Sequence, residues 1–343
     1  MLASREAQPV RTGPGPQPLG LALGELSANG YIRDIVQRKL GSDRGLTLRM
    51  ALTMFLLAVV YLIFVGVLLL MHIGIATIVV VVAVLLAAQY YFSDKMVLSA
   101  LKARMVTPQQ YPQLYDIVGR LAQLTGTPMP KLAVIPSQVP NALATGRDPK
   151  HAVIVVTTGI LNQLDPKELE AVLAHELSHV IHRDVKVMAM AGFFATVASL
   201  IVQSGMWFGM FGGFGYGGGG YGRGRNSDQG EGMIVIILVA AVVWAISFVL
   251  IRALSRYREY AADRGSAVIT QEPSQLASAL QKISGTMSRI PTQDLRQMQS
   301  ANALMIFPAV HVGKGSLAEI FSTHPSLEHR LAKLRDLESR ISS

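Results

Sequence analysis

The sequence predicts a polytopic membrane protein, mainly α-helical, with a small β-sheet in its soluble part and about four transmembrane helices. Three observations lead there. Half of the 343 residues are hydrophobic and only 15% are charged, with a mean hydropathy of +0.37, a balance far from that of ordinary soluble domains. Residues 50–93 contain no Asp, Glu, Lys or Arg, and two more uncharged apolar runs follow at 187–207 and 233–251. The polar segments between them mix helical periodicity with short Val- and Ile-rich runs.

Composition also excludes several classes. There are no cysteines, so disulfides and thiolate metal sites are absent and any metal must be held by His, Asp or Glu. The net charge of +9 comes without an aromatic-basic pattern, so no nucleic-acid partner is expected. Basic residues flanking membrane spans account for the charge.

Residues 1–48 read as a flexible cytoplasmic tail, broken at Gly13-Pro14-Gly15-Pro16, with one short helix around Leu21–Lys39. No secretory signal is expected there, because no apolar core with a cleavage site follows Met1. Residues 50–92 form a hairpin of two spans, Ala51–Met71 and Ile75–Tyr91, turning near His72-Ile73-Gly74. Arg33, Arg38, Lys39, Arg44 and Arg49 precede it, and Lys95, Lys102 and Arg104 follow it. By the positive-inside rule both ends face the cytoplasm.

Residues 94–184 are the first soluble block. A helix is expected from Thr107-Pro108 to about Leu124, and strands over Lys131–Ile135 and Ala152–Thr157. Asn141–Gly146 reads as a third, exposed edge strand, able to pair with an extended peptide. Asp165-Pro166-Lys167-Glu168 opens a further helix with an N-cap, a first-turn proline and a capping-box glutamate. A second membrane hairpin, 187–251, carries a Gly-rich loop over 206–231. The glycines lack the preceding strand and Lys-Ser/Thr of a phosphate loop, and a flexible outer loop is expected. Four spans then return the chain to its starting side for the last block, 252–343.

The helix after Asp165 carries His175-Glu176-Leu-Ser-His179, the zinc-binding pattern of metalloproteases. Imidazoles four residues apart share a helix face and can reach one ion. Glu176 points aside, where its carboxylate can stand beside a metal and take a proton from water. A solvated His/Glu cluster is the alternative. Ala171, Val172, Ala174, Leu177, Val180 and Ile181 surround the motif, however, and a buried helix needs partners for its charges. A catalytic Zn²⁺ takes three protein ligands. His182 lies seven residues past His175, about 10 Å along the axis, too far to share the ion. Glu259 is therefore the expected third ligand. Asp263, four residues on, is expected to orient a ligand histidine.

With these residues in place the chain resembles a known family. His175-Glu-Leu-Ser-His179, Glu259-Tyr-Ala-Ala-Asp263, Pro140-Asn-Ala-Leu-Ala-Thr-Gly146 and Ser322-Thr-His324-Pro-Ser-Leu-Glu-His-Arg330 stand in the order and at roughly the spacing of the HtpX membrane proteases. These belong to metallopeptidase family 48, which also holds the CAAX prenyl proteases. The likeness runs from about residue 50 to 336. Ser326 stands where the family often has a second proline.

The resemblance implies an α+β gluzincin domain facing the cytoplasm of a bacterial inner membrane, binding one Zn²⁺ and cleaving unfolded or misfolded membrane proteins in quality control. It also implies roles: His175, His179 and Glu259 as zinc ligands, Glu176 as general base, and Asn141 as a holder of substrate backbone. His324 would hydrogen-bond the oxyanion, and Arg330 would pair with Asp263. His311 and His329 are left as surface residues. Two alternatives remain at this point. A CAAX prenyl protease would use the same site but has more spans than four. A transporter or scaffold would carry polar groups within its spans, and here these are nearly absent.

Overall fold

The computed structural model describes residues 44–70, 95, 97–207, 227–290 and 324–342, with isolated positions between 80 and 87. Its elements are α1 (Arg44–Leu70), β1 (Arg104–Met105), α2 (Pro112–Thr125), β2 (Lys131–Ile135), β3 (Ala142–Thr145), β4 (Val153–Thr157), α3 (Thr158–Gln163), α4 (Pro166–Ile181), α5 (Asp184–Trp207), α6 (Ser227–Thr270), α7 (Pro273–Met287) and α8 (Leu327–Ser342).

Helices α1, α5 and α6 form the apolar layer. They share a core of Leu57, Tyr61, Phe64, Ala191, Ala198, Ala240, Val243 and Leu254. Phe55, Leu62, Ile63, Leu238, Val242 and Trp244 stay exposed on their outer faces. Apolar contacts inside and apolar exposure outside suit helices solvated by lipid. Among the described residues two helices are long and apolar enough to cross a bilayer, over Gly45–Val67 and Ile234–Thr270, and Val187–Ser199 is a shorter apolar stretch. Of the four expected spans, the first and the fourth are the two that meet this test among the described residues. Most of Ile75–Tyr91, the proposed Leu21–Lys39 helix and His311 lie outside the described residues.

Several expected boundaries move. The tail was expected to reach residue 48, but the helix already begins at Arg44. The helix expected from Thr107 begins at Pro112. The Gln110 side chain accepts from the Thr107 amide at 3.0 Å, closing a turn ahead of it. The fourth span and the segment after it are one helix of 44 residues. No Gly or Pro stands between Met233 and Arg264 to break it. At 1.5 Å per residue α6 is about 66 Å long, roughly twice a hydrocarbon core, so it must extend beyond the hydrocarbon.

The soluble layer is built on a four-stranded sheet in the order β1-β2-β4-β3. Strands β2 and β4 run parallel, and β3 pairs antiparallel with β4, Leu143 opposite Val155. β3 is thus an edge strand, as expected, but its four side chains are all buried because α4 packs along it. Gly146 ends it at φ 124°, where a Cβ would meet the His151 carbonyl oxygen. The core joins the sheet to α2, α4, α7 and the end of α6 through Leu132, Val155, Leu173, Leu177, Leu276 and Ile283.

Candidate metal centre

The site forms where α4 crosses α6. Ala171 and Ala174 on α4, with Ala262, Ser266 and Ala267 on α6, are fully buried small residues that let the helices approach closely. Ser266 Oγ closes the crossing by donating to the Ala171 carbonyl at 2.7 Å. The capping box of α4 is present, Asp165 N donating to Glu168 at 3.0 Å. Glu168 in turn accepts from Ser278 and Lys282 of α7 at 2.6 and 2.8 Å. One turn of α4 is therefore anchored before the motif begins.

His175, His179 and Glu259 converge, all buried, with one ligand atom of each within 4.8 Å of the others. The two Nε2 atoms are 3.2 Å apart. Glu259 oxygens lie 3.7 Å from His175 Nε2 and 3.6 Å from His179 Nε2. Ligand nitrogens about 2.0–2.1 Å from a tetrahedral ion stand about 3.3–3.4 Å apart, so the spacing fits Zn²⁺.

The opposite edges of the rings sharpen this. His175 Nδ1 is 3.0 Å from Asp263 Oδ1, and His179 Nδ1 is 2.6 Å from Asp184 Oδ2. Carboxylates there hold the ring proton on Nδ1 and turn both Nε2 lone pairs toward one point. Two lone pairs and a carboxylate meeting out of water repel one another unless positive charge stands between them. The donor set of two imidazoles and a carboxylate suits zinc.

Burial pulls the His175 pKa down, only partly opposed by Asp263. It pulls on His179 too, but Asp184, Glu259 and Glu176 outweigh it and the pKa rises. The groups that draw a proton to His179 draw a metal cation equally. Burial, reinforced by Glu259, pushes Glu176 from 4.5 up to about 8. Both of its oxygens are buried without hydrogen-bond partners, and it stands outside the ligand trio. Register explains what faces it. Leu143 and Thr145 of β3 bond to β4, whereas the Ala144 amide points off the sheet edge toward Glu176, close enough to lower its pKa slightly.

Each remaining sequence candidate has a defined place. Arg330 is buried and forks onto Asp263, Nε at 2.9 Å and Nη2 at 2.6 Å, with Nη1 3.6 Å from Glu259. His324 Nδ1 lies 3.3 Å from Glu259 Oε2. Asn141 is buried just before β3. Its amide donates to Thr157 Oγ1 at 2.9 Å and its own Oδ1 accepts from the Ala142 amide at 3.0 Å. His182 is turned away, with Nδ1 2.8 Å from the Ser178 carbonyl. His329 is exposed and its amide meets Ser326 Oγ at 3.4 Å. Ser326 thus occupies the N-cap of α8, which explains how this position dispenses with a proline.

Two residues of the site went unnoticed in the sequence. Asp184 and Arg258 looked like members of the charged runs that flank the second hairpin, yet each is buried, at 2% and 3% exposure, and they pair at 3.1 Å. Arg183 takes a left-handed φ of 55°, so α5 starts at once and places Asp184 under His179. The only available signal was a lone acid within a basic run directly after the motif. Asp184→Asn removes the charge that orients His179, and metal affinity is expected to fall about 10–100-fold. Chelator-competition titration measures it, and the cobalt-substituted spectrum should shift as the ligand field changes. An unchanged affinity and spectrum would reduce Asp184 to a packing role.

Comparison with known proteins agrees with this geometry. The model of peptidase family M48 matches residues 108–338. A protein named Protease HtpX homolog from Moorella thermoacetica is 54% identical over 307 residues, 89% of this chain and 99% of the relative. Protease HtpX homolog 2 of Methanosarcina acetivorans is 48% identical over 307 residues, covering 90% and 100%. Protease HtpX homolog 1 of Streptomyces coelicolor is 45% identical over 306 residues, covering 89% and 97%. The crystal structure of S. mikatae Ste24p superposes with a TM-score of 0.47 at 19% identity, over 92% of this chain and 72% of that one, a likeness too low to argue from.

Proposed function

The chain belongs to peptidase family M48 and is a membrane metalloprotease, and on that footing we propose that it is a zinc endopeptidase cleaving unfolded or misfolded membrane proteins. In this reading it sits in a bacterial inner membrane with the site on the cytoplasmic side. The observation that carries the zinc assignment is the convergence of two imidazole nitrogens and a carboxylate, all buried, on one point.

His175, His179 and Glu259 would hold the ion. When bound, Zn²⁺ supplies Lewis-acid polarisation of a carbonyl and acidifies water. Glu176 takes a proton from the attacking water as its oxygen bonds to the carbonyl carbon, then delivers that proton to the leaving nitrogen as the C–N bond breaks. Its buried carboxyl, outside the ligand trio, would serve both transfers. Asp263 and Asp184 hold the Nδ1 protons and so fix both imidazoles. The outward-facing backbone of Ala144, with the Ala142 carbonyl, would offer one side of a β-ladder to an extended peptide, which requires the substrate segment to be unfolded. Asn141 would support that backbone, and His324 would donate to the carbonyl oxygen as it gains charge.

Dialysis against a chelator is expected to abolish casein cleavage by the detergent-purified chain, and one equivalent of Zn²⁺ should restore it. Glu259→Gln should bind no metal tightly. Full cleavage by protein verified to be metal-free would rule the reading out. A farnesylated CAAX peptide in the same assay separates the prenyl-protease activity, which should be absent.

A further inference from the structure

On the far side of Asp263 from the metal centre, α1, α6 and α8 enclose a cleft of about 500 Å³. Four cations line it, Arg49 from α1, Arg264 from α6, and Lys333 and Arg340 from α8, against two carboxylates, Asp263 and Asp336. Asp263 lies in the Arg330 fork and Asp336 meets Arg340 at 2.8 Å, so the lining as a whole is net positive. The Lys333 ammonium is held 3.2 Å over the Tyr260 ring, which fixes it at the wall of the cleft. Cations gathered from three separate helices around one concavity make a receptor for an anion.

The level of the cleft narrows the choice. Arg49 stands four residues into the apolar stretch Gly45–Val67, about 6 Å along the axis. That is the depth of headgroups and interface, where basic pockets between helices meet anionic lipid. Leu46 forms part of the wall. Leu48 and Leu52 on the same helix are 70% and 55% exposed and can lie along acyl chains. A free phosphate would use the cations alone, whereas a phospholipid would use both features.

We propose that this cleft binds the phosphate headgroup of an anionic phospholipid, with the acyl chains running along α1. Through Asp263, whose Oδ1 is 3.0 Å from His175 Nδ1, the bound headgroup lies one side chain from a metal ligand. The proposal rests on α1 being a membrane span, which alkaline carbonate extraction of membranes tests separately: release of the chain would overturn the span itself.

Native mass spectrometry of the full-length, metal-loaded chain from detergent, with phosphatidylglycerol or phosphatidylcholine added, tests the site. Phosphatidylglycerol should be retained and phosphatidylcholine lost. Neutralising two exposed cations in Arg49→Gln/Lys333→Gln should weaken phosphatidylglycerol binding about 30-fold, and Arg49→Lys/Lys333→Arg should restore it. Metal content and circular dichroism check that each variant is folded. Equal retention of the two lipids, or unchanged binding in the glutamine variant, would overturn the proposal. Displacement of the lipid by inorganic phosphate at comparable concentration would assign the cleft to a free anion instead.

Discussion

Glu176→Gln is expected to keep its metal and lose cleavage by about 10²–10⁴-fold, the contribution expected of a general base at the reacting water. The substitution preserves size and leaves His175, His179 and Glu259 untouched. Metal analysis and casein cleavage on the same preparation measure the two halves of this result. The same variant has a second expected effect in the metal-free protein. Glu176 is raised from 4.5 to about 8 by burial and by Glu259. A carboxyl whose folded pKa lies above its unfolded one contributes stability that is complete below the unfolded value. That stability is lost as pH climbs through the folded value. At pH 8 the metal-free wild type therefore carries a partly ionised, buried carboxylate, at a cost of a few kcal/mol. Glutamine carries none. Metal-free Glu176→Gln should melt above metal-free wild type at pH 8, and the gap should close toward pH 5. Parallel melting curves at the two pH values would show that Glu176 does not ionise across that window.

Arg330→Met is expected to be among the most destabilising single changes outside the apolar core. The guanidinium is 2% exposed, holds both oxygens of Asp263 and approaches Glu259. Methionine fills much of the volume but leaves two buried carboxylates, one turn apart on α6, without their shared cation. Breaking a buried charge network from one side costs about 3–5 kcal/mol. A bound divalent cation restores part of the missing charge, so Zn²⁺ should raise the melting midpoint more in the variant than in wild type. Arg330→Lys should fall between them, since a lysine supplies the charge but not the planar fork. A midpoint unchanged in Arg330→Met, with and without Zn²⁺, would mean that the pair adds nothing to the fold.

Features set by local physics are legible in the chain itself. Four-residue spacing on a helix puts His175 with His179, and Glu259 with Asp263, whatever surrounds them. Asp165 and Glu168 mark a helix start because capping acts within one turn. The 1.5 Å rise removes His182 without knowledge of any neighbour. Uninterrupted apolar residues over 51–70 and 233–251 mark α1 and the first half of α6 for the same reason. Hydropathy falls sharply at Arg252 and predicts the end of a span there, although nothing in the backbone chemistry of α6 ends at that point.

Other features depended on packing between distant segments. Asn141–Gly146 is expected to lie exposed at the sheet edge, yet the side chains of Ala142–Thr145 are buried, because an Ala-Leu-Ala-Thr run does not encode what packs over it. The crossing of α4 over β3 buried its side chains and left the Ala144 amide facing Glu176. His324 and Arg330 drew meaning only from a family resemblance, because side chains more than 60 residues beyond Glu259 and Asp263 are brought to them by the docking of α8 on α6. Asp184 and Arg258 stayed hidden inside charged runs that composition assigns to solvent.

The helix carrying His175 and His179, the sharing of one face by those imidazoles, the candidate base Glu176 beside them and the apolar helices are legible in the sequence alone, since propensity, periodicity and spacing act within a few residues. The tertiary structure decided which carboxylates face which ring nitrogens, which charges leave water, and how a membrane helix delivers Glu259 to α4. Burial of a charge is a property of what packs around it, and no local pattern encodes that.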